Sequence, residues 1–435
     1  MNTVTASAGA QGVPIGKKKM LVATTIGNAL EFFDFTVYSF VAIIIGKLYF
    51  PTMSPYGQLL LSVATFGVGF VMRPLGGVII GAYADRRGRK AAMTLTIYLM
   101  ALGCAMIGFA PTYAQIGIAA PLIILTARLI QGFSAGGEVA ASTTLLIEYA
   151  TPKNRGYFGS WQFASQGLGI TLGAVLVGLL SYNLTPAAME SWGWRIPFMV
   201  GMLIAPVGLY IRSQLHETHA APANSKEGRS SIRIVLTIYG KDTLLGTLMI
   251  IGGTVCAYII TFYMPTYAIR ELGLPMPLAL MSAILSGFLM FVVAPFVGHW
   301  ADKVGRKPLI LYSRIAFVLL VYPSFLWLTA EPSAERLLLI VGVLSILTSI
   351  QAAPAITMIP EMFPKEVRVT GMSVVYSVGV ALFGGFAQFF ATWLIHATGS
   401  KLAPAWYLIV LVSLSTVALF WIKDKTGREI DGEKG

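Results

Sequence analysis

Twelve times along its 435 residues the chain runs for about 20 apolar residues before charge, Gly or Pro interrupts it. At 1.5 Å per helical residue, such a run crosses a hydrocarbon layer of about 30 Å. The runs fall at about residues 20–48, 58–84, 90–110, 117–148, 156–181, 195–214, 242–269, 277–301, 307–329, 337–361, 368–396 and 402–422. In lipid every backbone N–H and C=O must be bonded within the protein, and runs of this length satisfy that as helices. The expected fold is all-α and integral to a membrane, with twelve transmembrane helices. Only 11% of the residues are charged, against about 25% in soluble chains, which excludes a soluble globular domain.

The placement of charge decides what the net +12 means. Of 31 Lys and Arg, 23 fall in the tails and alternate loops on one side, five lie on the other (Lys47, Arg195, Arg270, Arg336, Lys401), and Arg73, Arg128 and Arg314 lie within spans. The positive-inside rule then puts both termini in the cytoplasm. The excess charge orients the chain and attracts lipid headgroups, and no nucleic-acid partner is expected. The small-residue stretch Ala6 to Ala10 precedes Lys17, Lys18 and Lys19, the reverse of a cleavable signal peptide, so the first helix is expected to stay. Cys104 and Cys256 lie in apolar runs and read as small hydrophobes with neither disulfide nor metal spacing.

The spans repeat. Gly81-Ala-Tyr-Ala-Asp85-Arg86-Arg87-Gly88-Arg89-Lys90 recurs as Gly298-His-Trp-Ala-Asp302-Lys303-Val304-Gly305-Arg306-Lys307, offset by 217 residues. Glu148 and Arg155, with Pro152 between them, recur as Glu361, Arg368 and Pro364. Duplication of a six-helix unit predicts two pseudo-symmetric bundles with a site at their interface near the midplane. The expected organisation is a tail at 1–19, bundles at 20–214 and 242–422 joined by a loop at 215–241, and a second tail at 423–435.

The repeated G-x-x-x-D-[RK]-x-G-R-[RK] loop resembles the signature of the major facilitator superfamily. Ile130, Gly132, Phe133, Gly136, Leu145, Glu148 and Arg155 resemble the second signature of its sugar porters, and Arg128-Leu-Ile-Gln131-Gly132 its helix 4 motif. Gly27-Asn28-Ala-Leu-Glu31-Phe-Phe-Asp34-Phe35, Phe70-Val-Met-Arg73-Pro74 and Trp192-Gly-Trp-Arg195-Ile-Pro-Phe198 resemble the metabolite:proton symporters, while Ser160 to Gln166 and Pro265-Thr-Tyr267 resemble citrate and tricarballylate carriers. The resemblance implies alternating access, with Asp85, Arg89, Glu148, Arg155, Asp302, Arg306, Glu361 and Arg368 gating the cytoplasmic side. Gly132 and Gly136, four apart, predict a close approach of the fourth helix to a neighbour.

Five ionisable residues sit inside spans: Glu31, Asp34, Arg73, Arg128 and Glu138. Each costs a few kcal/mol or more in lipid, which by default assigns it to the bundle interior and the transport path. Under the repeat, Glu31, Asp34 and Arg73 map onto Leu248, Ile251 and Met290, and Glu138 onto Gln351; charge is therefore expected in the first half alone, with Arg314 snorkelling to headgroups. Three acids against two arginines leave one carboxylate to carry a proton, which assigns proton coupling to Glu31, Asp34 and Glu138. Arg73 and Arg128 suit bidentate capture of a substrate carboxylate; the alternative is a static network tying helices together. Gln131 joins the substrate set, and Gln162 and Gln166 offer amides either to substrate or to a neighbouring helix. Tyr258, Tyr267, Thr261, Phe262, Tyr376 and Gln388 are secondary candidates. No histidine falls at the midplane, which disfavours a His relay.

The expected function is import of an organic carboxylate with protons by a monomer; the resemblance implies a substrate of citrate, tricarboxylate or dicarboxylate type and a bacterial inner membrane. The alternatives are a proton symporter of zwitterions such as proline or betaine and, further off, a drug-efflux antiporter. Osmosensing members of the resembling family carry a C-terminal coiled coil that residues 423–435 do not continue, and the fifth span lacks the Gly-Pro element of antiporters. With no nucleotide loop, metal cluster or nucleophile constellation, no cofactor, metal or enzymatic reaction is expected.

Overall fold

The computed structural model describes residues 17–87, 89–136, 138–213 and 232–429. Its principal helices are α1 (Lys17–Phe40, continued by Ala42–Tyr49), α2 (Pro55–Val71, then Arg73–Arg87), α3 (Arg89–Gly108) and α4 (Ala119–Ala135, then Glu138–Glu148). They continue with α5 (Arg155–Asn183), α6 (Ile196–Ser213), α7 (Gly240–Arg270) and α8 (Met276–Val304). The last four are α9 (Arg306–Ala330), α10 (Ala334–Glu361), α11 (Arg368–Thr398) and α12 (Ala403–Leu419). Eight are long and apolar enough alone to cross a bilayer, and α1, bent by 59°, is a ninth. The shorter or partly polar α3, α6 and α12 complete two bundles of six. Between the bundles, residues 232–237 are helical, inside the stretch the sequence reads as loop.

Several helices break where the sequence weakens them. The turn at Met72 precedes Pro74, whose missing N–H cannot continue the ladder. The first piece of α4 ends at Ala135, and Gly136 follows it in a turn. α7 widens to a π-helical turn at Tyr258–Tyr263, just before Pro265, and α11 does so at Ala381–Gly385. Such turns rotate side chains out of the regular register and recur at functional sites.

Glycine sets the closest crossings. A Cβ on Gly132 would lie 1.6 Å from the Gly69 carbonyl oxygen, and one on Gly136 2.0 Å from that of Arg73. The neighbour that the α4 glycines admit is therefore α2, and the contact brings Arg73 beside Arg128. Between the bundles, α5 meets α8 backbone to backbone at Gly156 with Gly298 and at Gly167 with Gly287. α2 meets α11 at Gly67, where a Cβ would stand 2.9 Å from the Gly385 carbonyl oxygen.

Candidate functional site

Arg73 opens the second piece of α2, beyond the break, and is 2% exposed. Its guanidinium carbon lies 4.7 Å from the Phe35 ring centroid and 4.1 Å from that of Phe70. A desolvated cation–π contact contributes about 2 kcal/mol, yet stacking uses the flat face and leaves the N–H edge. None of the three guanidinium nitrogens makes a well-formed hydrogen bond to a protein group, although the Tyr376 hydroxyl stands close enough to interact with them. A buried donor left so costs about 1–3 kcal/mol, more when charged, so the edge is a strong site for an anion. Tyr258 of α7 and Tyr376 of α11 stand near enough for Arg73 and Glu31 to act on both electrostatically, and Gln166 lies beside Tyr376. Both bundles thus contribute to this cluster. Glu31 is buried and engaged, while the Gln166 amide nitrogen has no acceptor.

A second group lies within the first bundle. Arg128 is wholly buried, its guanidinium carbon 5.0 Å from the Phe35 centroid, 4.6 Å from Tyr38 and 4.9 Å from Phe66. Nη1 donates to Gln131 Oε1 at 2.8 Å, and Nε and Nη2 have no acceptor. Gln131 Nε2 donates to Cys104 Sγ at 3.3 Å, and the Cys104 thiol stands within reach of the Asp34 carboxyl. Because Arg73 and Arg128 stack on the same Phe35 ring, the two cationic centres are neighbours.

Other candidates go elsewhere. Gln162 Nε2 donates to Asn28 Oδ1 at 3.0 Å and its Oε1 accepts from Ser142 Oγ at 2.9 Å, which engages its amide in a brace of α5 to α1 and α4. Tyr267 lies nine residues beyond Tyr258, about 13 Å along a helix, and donates to the Lys401 carbonyl at 2.8 Å. Glu138, half-buried and engaged, opens the second piece of α4. The Asp85 and Arg89 side chains lie outside the described residues.

The second signature loop latches the bundles on the face that carries most Lys and Arg. Asp302 accepts from the first backbone N–H groups of α5, Gly156 at 2.7 Å and Tyr157 at 2.9 Å, where the helix terminus favours an anion. Glu361 bonds Arg306 within its own bundle and faces Arg155 of the other at 3.6 Å; Arg368 faces Glu148 at 3.8 Å. Gly305, at φ +94°, makes the turn that a side chain would strain. Asp424, beyond α12, accepts from the Arg306 and Lys307 backbone at 2.9 Å each, and the Arg428 carbonyl accepts from Arg155 at 2.7 Å. Away from that face, among the described residues, Gln388 donates to Ser39 at 2.6 Å, Phe262 meets Phe40 and Phe66, and Tyr56 meets His396 with ring centroids 3.8 Å apart.

Two expectations need correction. Arg314 does not snorkel: it is fully buried, bonded to Gln351 Oε1 at 3.2 Å and to the carbonyls of Ser415 at 2.9 Å and Met249 at 2.6 Å. Buried charge is therefore present in both bundles; three neutral oxygens from α7, α10 and α12 satisfy it in the second. The two thiols also do more than fill space, each accepting from a glutamine, Gln131 or Gln351.

The profile of the Major Facilitator Superfamily matches residues 24–330 and 282–435. This chain belongs to that superfamily. It is 35% identical over 412 residues to a citrate-proton symporter of Salmonella typhi, covering 94% of each chain. It is 32% identical over 430 residues to a proline/betaine transporter of Escherichia coli K12, covering 95% of this chain and 85% of that one. Among solved structures, the proton:xylose symporter XylE superposes with a TM-score of 0.77 over 95% of this chain and 97% of its own, at 15% identity, a likeness of fold. The superfamily member described here is a multi-pass membrane transporter, and its relatives are transporters rather than enzymes. The narrower resemblance to citrate-type proton symporters extends over nearly the whole chain.

Proposed function

We propose that this transporter imports a di- or tricarboxylate with protons. The observation that carries the reading is the buried Arg73 edge, which has the Tyr376 hydroxyl beside it but no well-formed hydrogen bond, at a cluster to which both bundles contribute. A carboxylate matches that edge bidentately, and the unbonded Nε and Nη2 of Arg128 offer a second anchor nearby. Tyr258, Tyr376 and Gln166 supply neutral hydrogen bonds, while Asp34, Glu31 and Glu138 exchange the proton. The citrate-proton symporter relative supports the same class.

The proline/betaine relative supports a second reading. A quaternary ammonium needs open aromatic faces, and those of Phe35, Phe70, Tyr38 and Phe66 already hold the chain's own arginines, which favours the anion. The basic face is read as cytoplasmic in a bacterial inner membrane, with both termini there, the two bundles bounded as the sequence suggests and the chain working as a monomer. Alternating access breaks the latch at Asp302, Glu361 and Glu148 and re-forms it after release; Asp85 and Arg89 are assigned the matching role in the first bundle.

Labelled citrate uptake into proteoliposomes tests this. Accumulation should be abolished by uncoupler and competed by tricarballylate and dicarboxylates. Competition by betaine but not by tricarballylate overturns it in favour of the osmolyte.

A further inference from the structure

The two hydrogen bonds that lead from Arg128 toward Asp34 run one way. The Arg128 guanidinium donates to the Gln131 carbonyl oxygen, the Gln131 amide donates to the Cys104 sulfur, and the thiol is left its own hydrogen for Asp34. No cation stands within 4 Å of the Asp34 carboxylate among the described residues, so the chain of donors stands where a direct ion pair is expected. Such chains polarise one another, and weakening one bond weakens the next. α6 completes the pocket: a Cβ on Gly201 would stand 2.2 Å from Asp34 Oδ1 and 3.3 Å from Cys104 Sγ. The carboxyl fills the space that a side chain would take. The groups facing Asp34 are Cys104 of α3 and Arg128 of α4, with Arg73 beyond Arg128.

Resting on the carboxylate–proton reading above, we propose that Gln131 and Cys104 are positioning residues that transmit occupancy of Arg128 to the coupling acid Asp34, in a pocket that Gly201 leaves open for it. A donor to a carboxylate favours its ionised form. Substrate drawn onto Arg128 competes with Gln131, slackens the relay and lets Asp34 take a proton. Binding and protonation therefore rise together, the sign that symport needs.

The test is the infrared carbonyl band of the protonated acid, assigned by its loss in Asp34→Asn and titrated with pH with and without citrate. In the wild type, citrate should move the band's midpoint to higher pH. Cys104→Ala should raise the citrate-free midpoint by about half a unit, roughly threefold in proton affinity, and should abolish the citrate-induced shift. Cys104→Ser, which restores a donor, should recover both, and Gly201→Ala should lose proton-driven accumulation while retaining citrate counterflow. A wild-type midpoint and citrate response in Cys104→Ala overturn the relay. If Cys104→Ala moves the midpoint but citrate never does in the wild type, the relay stands and the carboxylate reading fails.

Discussion

Each bundle buries an arginine near a glutamine and a thiol, and the two are built to opposite ends. In the second bundle Arg314 spends its donors on Gln351 and two carbonyls, and three helices are tied to α9. In the first, Arg128 spends one nitrogen on Gln131, and Arg73 at the interface has the Tyr376 hydroxyl beside it without a well-formed bond. Aromatic faces hold these two where oxygen atoms hold Arg314. A saturated guanidinium is a brace; an unsaturated one keeps its binding capacity for a ligand. Burial alone does not separate the two.

The contrast is broken most forcefully at Arg73. Arg73→Lys keeps the charge but removes the planar fork, and citrate uptake kcat/KM should fall about 100-fold, roughly 2.7 kcal/mol. Retention of full uptake would make Arg73 a brace as well. Arg314→Met should do the reverse: it orphans the Ser415 and Met249 carbonyls, lowers stability by about 2–4 kcal/mol in thermal unfolding, and leaves KM near its original value. A KM rise at unchanged stability would place Arg314 on the transport path.

The latch sharpens a second side of the comparison, since it too is ionic but is proposed to give way on opening. Glu361→Gln removes the charge shared by Arg155 and Arg306, and labelling of a reporter cysteine lining the basic-face opening should quicken several-fold. An unchanged rate would make Glu361 a brace. The smallest effect belongs to Asp424. Burial pushes its carboxyl up, but hydrogen bonds from Thr426 and Lys307 and the nearby Arg306 charge outweigh burial and hold it below the ordinary value. Its contribution to docking of the 424–428 segment is thus complete above an ordinary aspartate pKa of about 3.9, and it is lost as pH falls through the lower folded value. Hydrogen exchange at the Thr426 amide should quicken only below that range; exchange unchanged down to pH 2 would contradict the assignment.

Much of this was legible in the chain. Spans, duplication and the basic face follow from local composition, and Glu31, Asp34, Arg73 and Arg128 stand out because charge within an apolar run is costly whatever the fold. The α4 glycines announced a close crossing, though not its partner. Gln162 and Tyr267 looked equal to Gln166 and Tyr258, because residue type and approximate depth were the same. Their separation depends on helix rotation, and the π-helical turns of α7 and α11 alter that rotation without a distinct sequence mark. Asp424 and Arg428 carried no repeat signal; their roles come from contact with residues more than 100 positions away.

The sequence by itself determined that this chain crosses the membrane as two related six-helix units, and which ionisable groups enter hydrocarbon. Those are properties of runs and periods, felt by each segment alone. Whether a buried arginine braces or binds was decided only in the tertiary structure. The oxygens that satisfy Arg314 lie 37, 65 and 101 residues away along the chain, and the aromatic rings that leave the Arg73 edge free come from two helices. Hydrogen-bond saturation is a sum over such distant neighbours, so it exists only once the bundles have closed around them.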